Sequence, residues 1–550
     1  MDILTSVHRN EILDKISKTH FDLVVIGGGI TGAGIAWDAT LRGLKVLLLE
    51  QNDFASGTSS KSTKLIHGGL RYLKQLKFKQ VYDVGRERAF VHKIARFLVR
   101  PEKMLLPIYK NGSLNRLMAG LALAVYDSLA GVKKSDSYAY NNKNKTVLLE
   151  PLLPVNRLLG SFLYAEYQTD DNRLTWTLIQ SAIERGACCL NYAKVVKLNT
   201  DASSKIISIN FVDKTTGNIS QIFAPLFINA AGPWVMDIIH LDLFPPKKGL
   251  LLSKGTHIVL SFSKLPLQHA LYFDDTEKKR MIFAIPRDGI TYVGTTDIAY
   301  QDDKNTIFSS KSEIEYLLET INNYFPDLSF TSDDILSSWV GLRPLIKEIG
   351  KNSTEISRKD EIFISKSGLV SIAGGKLTGF RKMAEKVLNL AFKLNKNYYK
   401  KFKQTSETKE IPLTGNSFTT EEEYFKFLNN LKSKFQQVGL DENLSECYLK
   451  RYGDKILKLL DFLEDKYKIQ NERLLVAEIK YGIKYEMILY PTDFLQRQTS
   501  MIWFNRSECF NYKHLILSIF TNEFSWDEEK LKMETLNYEH LVSSTLDFHK

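Results

Sequence analysis

The sequence is poor in several features that define whole classes of protein. Its 550 residues include four cysteines, which form no CxxC pair and no His/Cys cluster with zinc spacing. A disulfide framework and a structural metal centre are therefore not expected. The longest apolar stretch, 117–132, has 16 residues and contains Asp127, whereas roughly 20 are needed to span a bilayer. Residues 1–20 also lack the continuous apolar segment of a secretory signal. We expect no transmembrane helix, and a reducing cytoplasmic setting.

The composition predicts a large folded protein that attracts anions. Hydrophobic residues make up 44% of the chain and charged residues 25%, which is typical of a globular protein with an extensive core. At about 150 residues per domain, the length suggests three or four domain-sized units. The net charge of +11 favours phosphorylated metabolites, acidic lipid headgroups or nucleic acid as partners, and charge alone does not distinguish among them.

A glycine motif near the N-terminus predicts a dinucleotide site. Gly27, Gly29 and Gly32 follow the apolar strand 21–26 and open a helix, and Glu50 ends the next strand. Such glycines permit a tight turn, close approach to a pyrophosphate, and close helix–strand packing. Glu50 would accept hydrogen bonds from ribose hydroxyls. The alternative is a glycine-rich turn that binds no nucleotide, and the motif itself does not distinguish FAD from NAD.

The segment 58–73 carries polar groups suited to the rest of a dinucleotide. Its hydroxyl groups can donate to phosphate oxygens, and its glycines let the chain pass close to a flat ring. His67 could take or return a proton, although a single histidine is more often structural. The candidate cofactor contacts of this segment are Thr58, Ser59, Ser60, Lys64 and His67.

The remaining pattern predicts an α/β fold of three parts. A βαβ opening indicates a Rossmann-like domain. Strand-like segments between 250 and 300, separated by turn-forming or charged residues, predict an antiparallel sheet that would form a substrate domain. From 396 onward, lysine and glutamate become dense and helical periodicity dominates, which predicts a charged linker followed by an α-helical C-terminal domain.

Seven segments, in order along the chain, resemble one family. They are GGGITGAGIAWDA, TSSKSTKLIHGGLRYL, NAAGPW, KGTHIVL, VGTTD, GLRPL and GGKLTGFRKMAE. Together they are similar to the FAD-dependent glycerol-3-phosphate dehydrogenases of the D-amino-acid-oxidase-like flavoprotein superfamily. RYG and EMILYPTDFLQRQTSM extend a weaker similarity into the C-terminal domain.

The resemblance implies a cofactor, a reaction and partners. The cofactor is FAD, and the reaction is the oxidation of sn-glycerol 3-phosphate to dihydroxyacetone phosphate by hydride transfer to FAD. Electrons would pass to a membrane quinone, with the protein peripheral on an anionic membrane surface at the cytoplasmic face of the inner membrane. No nucleic acid is expected, and a homodimer stays open. The implied domains are an N-terminal extension (1–20), an oxidoreductase region (21–395; FAD-binding parts 21–75, 160–235 and 340–395, substrate-domain parts 76–159 and 236–339), and a linker with the helical domain (396–550).

Matching positions also imply site residues. The candidates for binding the substrate phosphate and glycerol oxygens are Arg71, Tyr72, Arg343, Arg358 and Lys376. Arginine presents a planar fork to phosphate oxygens and lysine a compact charge. Arg343 or Lys376 would stabilise alkoxide charge, and His67 would take the C2 hydroxyl proton, with His257 as an open alternative. The further cofactor contacts are Gly232, Gly375, Lys376 and Thr378.

Three questions stay open in the sequence. Gly379 and Phe380 stand where the family commonly has Thr-Tyr, so two hydroxyl groups near the flavin are absent. The stretch 117–132 is either a core helix or a surface that dips into lipid. The acceptor is either a quinone or, in a glycerol-3-phosphate oxidase, oxygen, which would give hydrogen peroxide. A more remote alternative is a non-catalytic scaffold or nucleic-acid-binding protein.

Overall fold

The computed structural model describes residues 9–67, 78–110, 112, 115–130, 137–245, 249–275, 280–347 and 361–548. Its strands are β1 (Leu23–Ile26), β2 (Val46–Leu49), β3 (Leu65–Ile66), β4 (Arg100–Tyr109), β5 (Ala139–Asn142), β6 (Leu158–Gln168), β7 (Cys188–Leu190), β8 (Ala193–Thr200), β9 (Ile206–Asp213), β10 (Ile219–Phe223), β11 (Phe227–Asn229), β12 (Gly249–Ser261), β13 (Ala270–Asp275), β14 (Arg280–Arg287), β15 (Ile290–Gly294), β16 (Ile298–Tyr300), β17 (Ile335–Lys347), β18 (Glu361–Ile364) and β19 (Val370–Ala373).

The helices alternate with these strands and then continue alone. They are α1 (Arg9–Lys18), α2 (Ile30–Leu41), α3 (Phe78–Ile94), α4 (Arg116–Ala130), α5 (Lys143–Leu149), α6 (Asp171–Ile183), α7 (Val235–Ile239), α8 (Lys311–Tyr324), α9 (Phe380–Leu394), α10 (Lys396–Tyr399), α11 (Glu421–Gln437), α12 (Ser445–Tyr452), α13 (Ile456–Leu460), α14 (Gln470–Tyr485), α15 (Pro491–Asp493), α16 (Met501–Phe504), α17 (Arg506–Asn511), α18 (Lys513–Phe524) and α19 (Glu528–Ser544).

A six-stranded sheet forms the first layer, in the order β18-β19-β11-β1-β2-β7. Its neighbouring strands are parallel except for β18, which runs antiparallel to β19. β1 (LVVI) and β2 (VLLL) are apolar throughout and buried at every position, as expected for a parallel sheet covered on both faces. The helix α2 joins these two strands and packs against α6 and α9. The βαβ opening predicted from the sequence is confirmed.

A ten-stranded sheet forms the second layer. Its main path is β16-β12-β15-β14-β13-β4-β6-β3, with β17 paired to β12 and β5 paired to β6. All pairs are antiparallel except β13 with β4. The three strand-like segments expected between 250 and 300 are β12, β14 and β15, so the prediction of an antiparallel sheet is confirmed.

Two strands of the ten-stranded sheet, β6 and β17, extend across the expected bounds near residues 160 and 340. β6 runs from Leu158 to Gln168, and β17 runs from Ile335 to Lys347. Residues 160–168 and 340–347, which the expected bounds assign to FAD-binding parts, pair within the ten-stranded sheet. In β6, the register of the pairing with β4 shifts at Leu158–Gly160, close to the expected bound.

The helices α11 to α19 form the C-terminal unit, which is joined to the first layer by buried ion pairs. Arg173 of α6 donates to both carboxylate oxygens of Glu486, at 2.5 and 2.8 Å. Arg497 contacts Asp53 at 2.5 Å. Both arginines are almost wholly buried. Because an unpaired buried charge is strongly destabilising, these pairs tie the helical unit to the body of the protein.

The N-terminal helix belongs to the same body. In α1, Arg9 donates to Asp213 of β9 at 2.9 Å and Ile16 is 1% exposed. Residues 9–18 therefore pack on the three-stranded sheet β10-β9-β8. Among the helices of the described residues, none combines the length and apolar character that crossing a membrane requires.

Candidate active site

A cavity of about 1360 Å³ lies between the two sheets. The six-stranded sheet and its loops contribute one wall, which includes Gly27, Gly29 and Glu50. The ten-stranded sheet contributes the other wall, which includes Gly255 and Arg343. The cavity lies at the carboxyl ends of β1 and β2, the position at which parallel α/β sheets bind dinucleotides.

On the wall formed by the six-stranded sheet, the backbone turns at the glycine motif, where no side chains are present. Gly27 has a φ of +110°, and a Cβ atom there would lie 2.7 Å from the carbonyl oxygen of Ala230. A Cβ at Gly32 would lie 1.9 Å from the carbonyl oxygen of Gly27. Neither position accepts another residue without a shift of the backbone. Gly32 thus lets α2 approach β1, while Gly27 and Gly29 line the cavity.

The N-terminus of α2 opens onto the cavity beside this turn. Gly29, Ile30 and Thr31 are part of the cavity wall. Ser59 accepts a hydrogen bond from the Ile30 backbone N–H at 2.9 Å, while the helix offers further N–H groups and the positive end of its dipole. A helix start without side-chain obstruction suits a pyrophosphate, so these residues fit a dinucleotide cofactor.

Glu50 lies at the end of β2 on the same wall. Its carboxylate accepts hydrogen bonds from the N–H groups of Gly28 at 2.7 Å and Asn52 at 2.9 Å. Burial raises the pKa of Glu50 to about 7, against the opposing effect of these backbone donors. Glu50 is part of the cavity wall, so its carboxylate suits the hydroxyl groups of a ribose, from which it would accept hydrogen bonds.

The segment Thr58–Ser60, which carries three hydroxyl groups, contacts both sheets. Thr58 donates to the carbonyl of Leu342 in β17 at 2.6 Å, and Thr58 and Ser59 line the cavity. Ser60 donates to the carbonyl of Gly57 at 3.3 Å and does not line it.

Lys64 corrects an expectation. Its side chain is fully buried away from the cavity, with the ammonium group 2.5 Å from Asp171 and 3.7 Å from Asp170. The prediction that Lys64 contacts the cofactor is not supported, because two carboxylates of the α6 N-terminus hold its charge. This ion pair joins segments that lie 107 residues apart.

Arg343 stands on the wall made by the ten-stranded sheet. It donates to the hydroxyl of Thr295 at 2.9 Å and the carbonyl of Thr296 at 3.2 Å, and lies 3.5 Å from Asp297. A Cβ at Gly255 would lie 2.3 Å from the guanidinium group, so Gly255 makes room for it. The segments KGTHIVL, VGTTD and GLRPL therefore meet at this arginine, although they are far apart in the chain.

The loop after β19 brings Thr378 next to His67 and places Lys376 on the cavity wall. Thr378 donates to the backbone carbonyl of His67 at 3.2 Å. Gly374 and Gly375 have φ values of +82° and +86°, which let the loop turn along the cavity. His67, Gly375, Lys376 and Thr378 all line the cavity, as does Gly232 from the turn after β11.

His257 occupies a different environment from His67. It is 1% exposed, its Nε2 lies 2.9 Å from the hydroxyl of Thr63, and its ring stacks on Trp339 with centroids 4.7 Å apart. Burial, with Arg343 and Lys64 nearby, lowers the pKa of His257 well below its usual value. The structure places His257 in the core and His67 at the cavity.

Some predicted residues cannot be placed, and others were missed. Arg71, Tyr72 and Arg358 lie outside the described residues. The sequence reasoning missed Lys61, Gly255 and Thr295, which line the cavity. A signal for Gly255 and Thr295 was available, because both lie inside motifs that carry the family resemblance.

Comparison with known proteins identifies the family. The family description "FAD dependent oxidoreductase" matches residues 22–381, and "C-terminal domain of alpha-glycerophosphate oxidase" matches residues 406–531. The chain belongs to the FAD-dependent oxidoreductases. The cofactor predicted from the sequence, FAD, is the cofactor of this family, and the residues of the cavity wall fit it.

Individual relatives extend over nearly the whole chain. An aerobic glycerol-3-phosphate dehydrogenase of Staphylococcus haemolyticus is 43% identical over 518 residues, which cover 94% of this chain and 93% of the relative. One from Staphylococcus aureus is 40% identical over 542 residues, covering 98% and 97%. A crystal structure of the glycerol-3-phosphate dehydrogenase from Bacillus halodurans complexed with FAD is 37% identical, covers 99% of both chains and has a TM-score of 0.85. The predicted fold class of a FAD-binding domain, an antiparallel sheet and a helical C-terminal domain is confirmed.

Proposed function

We propose that this enzyme oxidises sn-glycerol 3-phosphate to dihydroxyacetone phosphate. The observation that carries the proposal is that one cavity is lined both by the glycine motif with Glu50, which suits a dinucleotide, and by Arg343, Lys376 and His67. The names of the relatives support the same substrate. When bound, FAD supplies the two-electron acceptor for this oxidation.

The cations of the cavity bind the phosphate dianion of the substrate. Arg343 is oriented by Thr295 and Asp297, so its guanidinium loses little further freedom when it binds phosphate oxygens. Lys376 adds a second positive charge from the opposite wall. Charge-assisted hydrogen bonds of this kind contribute about 1.5 to 3 kcal/mol each. The phosphate thereby fixes the position of the C2 carbon relative to the wall that binds the cofactor.

His67 takes the proton of the C2 hydroxyl as the carbonyl forms. Its ring lies on the cavity wall 6.0 Å from the ring of Phe283, and its backbone is held by Thr378. A positioned base contributes about a hundredfold to ten-thousandfold to a proton transfer. Arg343 or Lys376 stabilises the negative charge that grows on the C2 oxygen, in the manner of an oxyanion hole.

The test is anaerobic bleaching of the flavin in the purified holoenzyme. Addition of sn-glycerol 3-phosphate should remove the yellow absorbance and yield one dihydroxyacetone phosphate per flavin. Glycerol without phosphate should bleach it far more slowly, because it has no group for Arg343 and Lys376. A holoenzyme that keeps its colour with sn-glycerol 3-phosphate would contradict the proposal.

The proposed electron acceptor is a membrane quinone, reached at an apolar surface that we name the α4 patch. This patch consists of Leu117, Met118, Leu121, Tyr140 and Leu159. Leu117 is 77% exposed, and Met118 and Leu121 are each 65% exposed. Ala119 and Leu123 of the same helix are buried and line the cavity, and Met118 of the patch lines it as well. The helix α4 thus borders both the cavity and an exposed apolar surface.

Basic residues lie close to the α4 patch in the chain, and one of them contacts it. Arg116 lies 4.7 Å from the ring of Tyr140, and the phenol of Tyr140 donates to the carbonyl of Leu159 at 2.9 Å. The exposed cations near the patch residues in sequence, here called the basic rim, are Lys110, Arg116, Lys143, Lys145 and Arg157. Each well-placed cation contributes about 1 kcal/mol to binding an anionic membrane surface. Apolar residues with a basic rim are the arrangement that a peripheral membrane enzyme presents to lipid.

Flotation with vesicles that contain anionic lipid tests this surface. The holoenzyme should float, whereas the double variant Leu117→Gln and Leu121→Gln should not. Leu536→Gln is the matched control, because Leu536 is 58% exposed on α19 and far from the patch in the chain. If the double variant floats as well as the control, the α4 patch is not the membrane surface.

The choice of acceptor needs a separate measurement. Quinone reduction and hydrogen peroxide release are compared in one holoenzyme sample with sn-glycerol 3-phosphate. We expect quinone reduction to be the faster process and to fall in the Leu117→Gln, Leu121→Gln variant, with anaerobic bleaching unchanged. Peroxide release at the rate of substrate oxidation would instead identify an oxidase.

A further inference from the structure

Lys61 is a cation on the cavity wall that the proposed reaction has not used. It is partly exposed, and it follows directly after the turn at Thr58–Ser60. Within the described part of the chain, its ammonium group forms no ion pair and no hydrogen bond. Burial lowers the pKa of Lys61, and no carboxylate of the described residues opposes that shift.

Lys64, three residues further along the chain, provides a comparison, because its ammonium group has partners within the protein. The ammonium group of Lys64 lies 2.5 Å from Asp171, and it also donates a hydrogen bond to the carbonyl oxygen of Ser60 at 3.2 Å. The charge of Lys64 is thus balanced within the protein. Partial burial of an unbalanced ammonium group, as at Lys61, costs folding free energy. A ligand that brings negative charge would offset this cost.

The position of Lys61 identifies the kind of ligand. A Cβ at Gly341 would lie 2.8 Å from the Lys61 carbonyl oxygen and 3.0 Å from its Cβ, so Lys61 packs directly on β17 at Gly341. Gly341 and Arg343 lie two residues apart in β17 and share one face of the sheet. Two residues earlier, Ser59 contacts the N-terminus of α2. The segment 59–61 therefore runs from the helix start that suits a pyrophosphate to the strand face that carries Arg343.

We propose that Lys61 is a phosphate-binding residue of this cavity. It binds either the phosphate of the substrate, beside Arg343, or the pyrophosphate of the dinucleotide, beside the α2 N-terminus. The first source rests on the proposed function, whereas the second rests only on the cofactor of the family.

Three holoenzyme variants test the proposal. Lys61→Met removes the charge at similar length, Lys61→Arg keeps it, and Lys197→Met removes the charge of an exposed lysine on β8 that does not line the cavity. For each variant, we would measure the KM for sn-glycerol 3-phosphate, inhibition by inorganic phosphate, and the rate of flavin release on dilution. Phosphate binding and flavin release need no turnover, so they remain informative if the proposed substrate is wrong.

The two sources give different results. If Lys61 binds the substrate phosphate, Lys61→Met should raise both the KM and the inhibition constant of phosphate at least tenfold and leave flavin release unchanged. If it binds the pyrophosphate, flavin release should accelerate at least tenfold with an unchanged KM. In either case Lys61→Arg should restore most of the loss, and Lys197→Met should match the wild type. Changes within twofold in every measurement, or a loss in all of them that Lys61→Arg does not restore, would overturn the proposal.

Discussion

The two walls of the cavity would bind their ligands in different ways, one through its shape and the other through an oriented charge. The wall of the six-stranded sheet is shaped by absent side chains, at Gly27 and Gly32, and offers backbone N–H groups at the start of α2. The wall of the ten-stranded sheet presents a charged group, Arg343, held by Thr295 and Asp297. The first wall requires glycine at fixed positions that are close together in the sequence. The second wall depends on the contacts of Arg343 with residues from a distant segment of the chain.

The largest effect should come from filling the first wall. Gly32→Val places a Cβ 1.9 Å from the Gly27 carbonyl oxygen, so α2 has to move away from β1. We expect a destabilisation of more than about 3 kcal/mol and a protein that contains no flavin, measured as the ratio of flavin to protein absorbance. Gly379→Ala is the control, because nothing lies within 4 Å of a Cβ at Gly379. A yellow Gly32→Val protein would contradict the steric account of this wall.

A change on the second wall should impair catalysis and leave the flavin in place. Arg343→Met removes the fork that Thr295 and Asp297 orient, and a loss of two charge-assisted hydrogen bonds should lower kcat/KM by at least about a hundredfold. Arg343→Lys should recover only part of this, because lysine lacks the planar fork. Steady-state kinetics and flavin content measure the two effects. Loss of flavin in Arg343→Met would show that the walls do not act separately.

His67 lies where the two walls meet, since its backbone bonds Thr378 and its ring approaches Phe283. His67→Asn should slow anaerobic flavin reduction about a hundredfold, because the C2 hydroxyl then has no positioned base. Stopped-flow absorbance of the flavin measures this rate. If flavin reduction is unchanged, His67 is not the base.

The smallest predicted effect concerns the histidine behind the second wall. The pKa of His257 is lowered in the folded protein, so unfolding takes up a proton below the unfolded value of about 6.5. The free energy of unfolding should therefore fall as the pH decreases below about 6.5, by at most about 1.4 kcal/mol per pH unit from this residue. Denaturation of the wild type and His257→Gln compares the slopes. The variant should be less stable overall but show a smaller loss on acidification.

The sequence predicted the first wall better than the second. Gly27, Gly29, Gly32 and Glu50 lie within 24 consecutive residues, so their spacing alone indicated the dinucleotide site. Nothing near Lys64 in the sequence indicates the two carboxylates of α6 that pair with it, so the sequence suggests a cofactor contact. The sequence also does not distinguish Lys64 from Lys61, which lines the cavity and has no such partner among the described residues.

The sequence also does not predict which strands pair with each other or which of two histidines is buried. Sequence patterns do not show in which sheet a strand pairs, and the expected bounds at 160 and 340 fall within β6 and β17. His67 and His257 both lie in matching motifs. The burial of His257 against Trp339 and the position of His67 on the cavity wall distinguish them. The roles of Arg71, Tyr72 and Arg358 stay predictions.

The contact between Arg497 and Asp53 joins residues 444 positions apart. Asp53 belongs to the turn that follows Glu50. During synthesis on a ribosome, that turn emerges early, whereas its guanidinium partner appears only after nearly the whole polypeptide has been translated. A chain that terminates before Arg497 would leave the buried carboxylate of Asp53 without this partner.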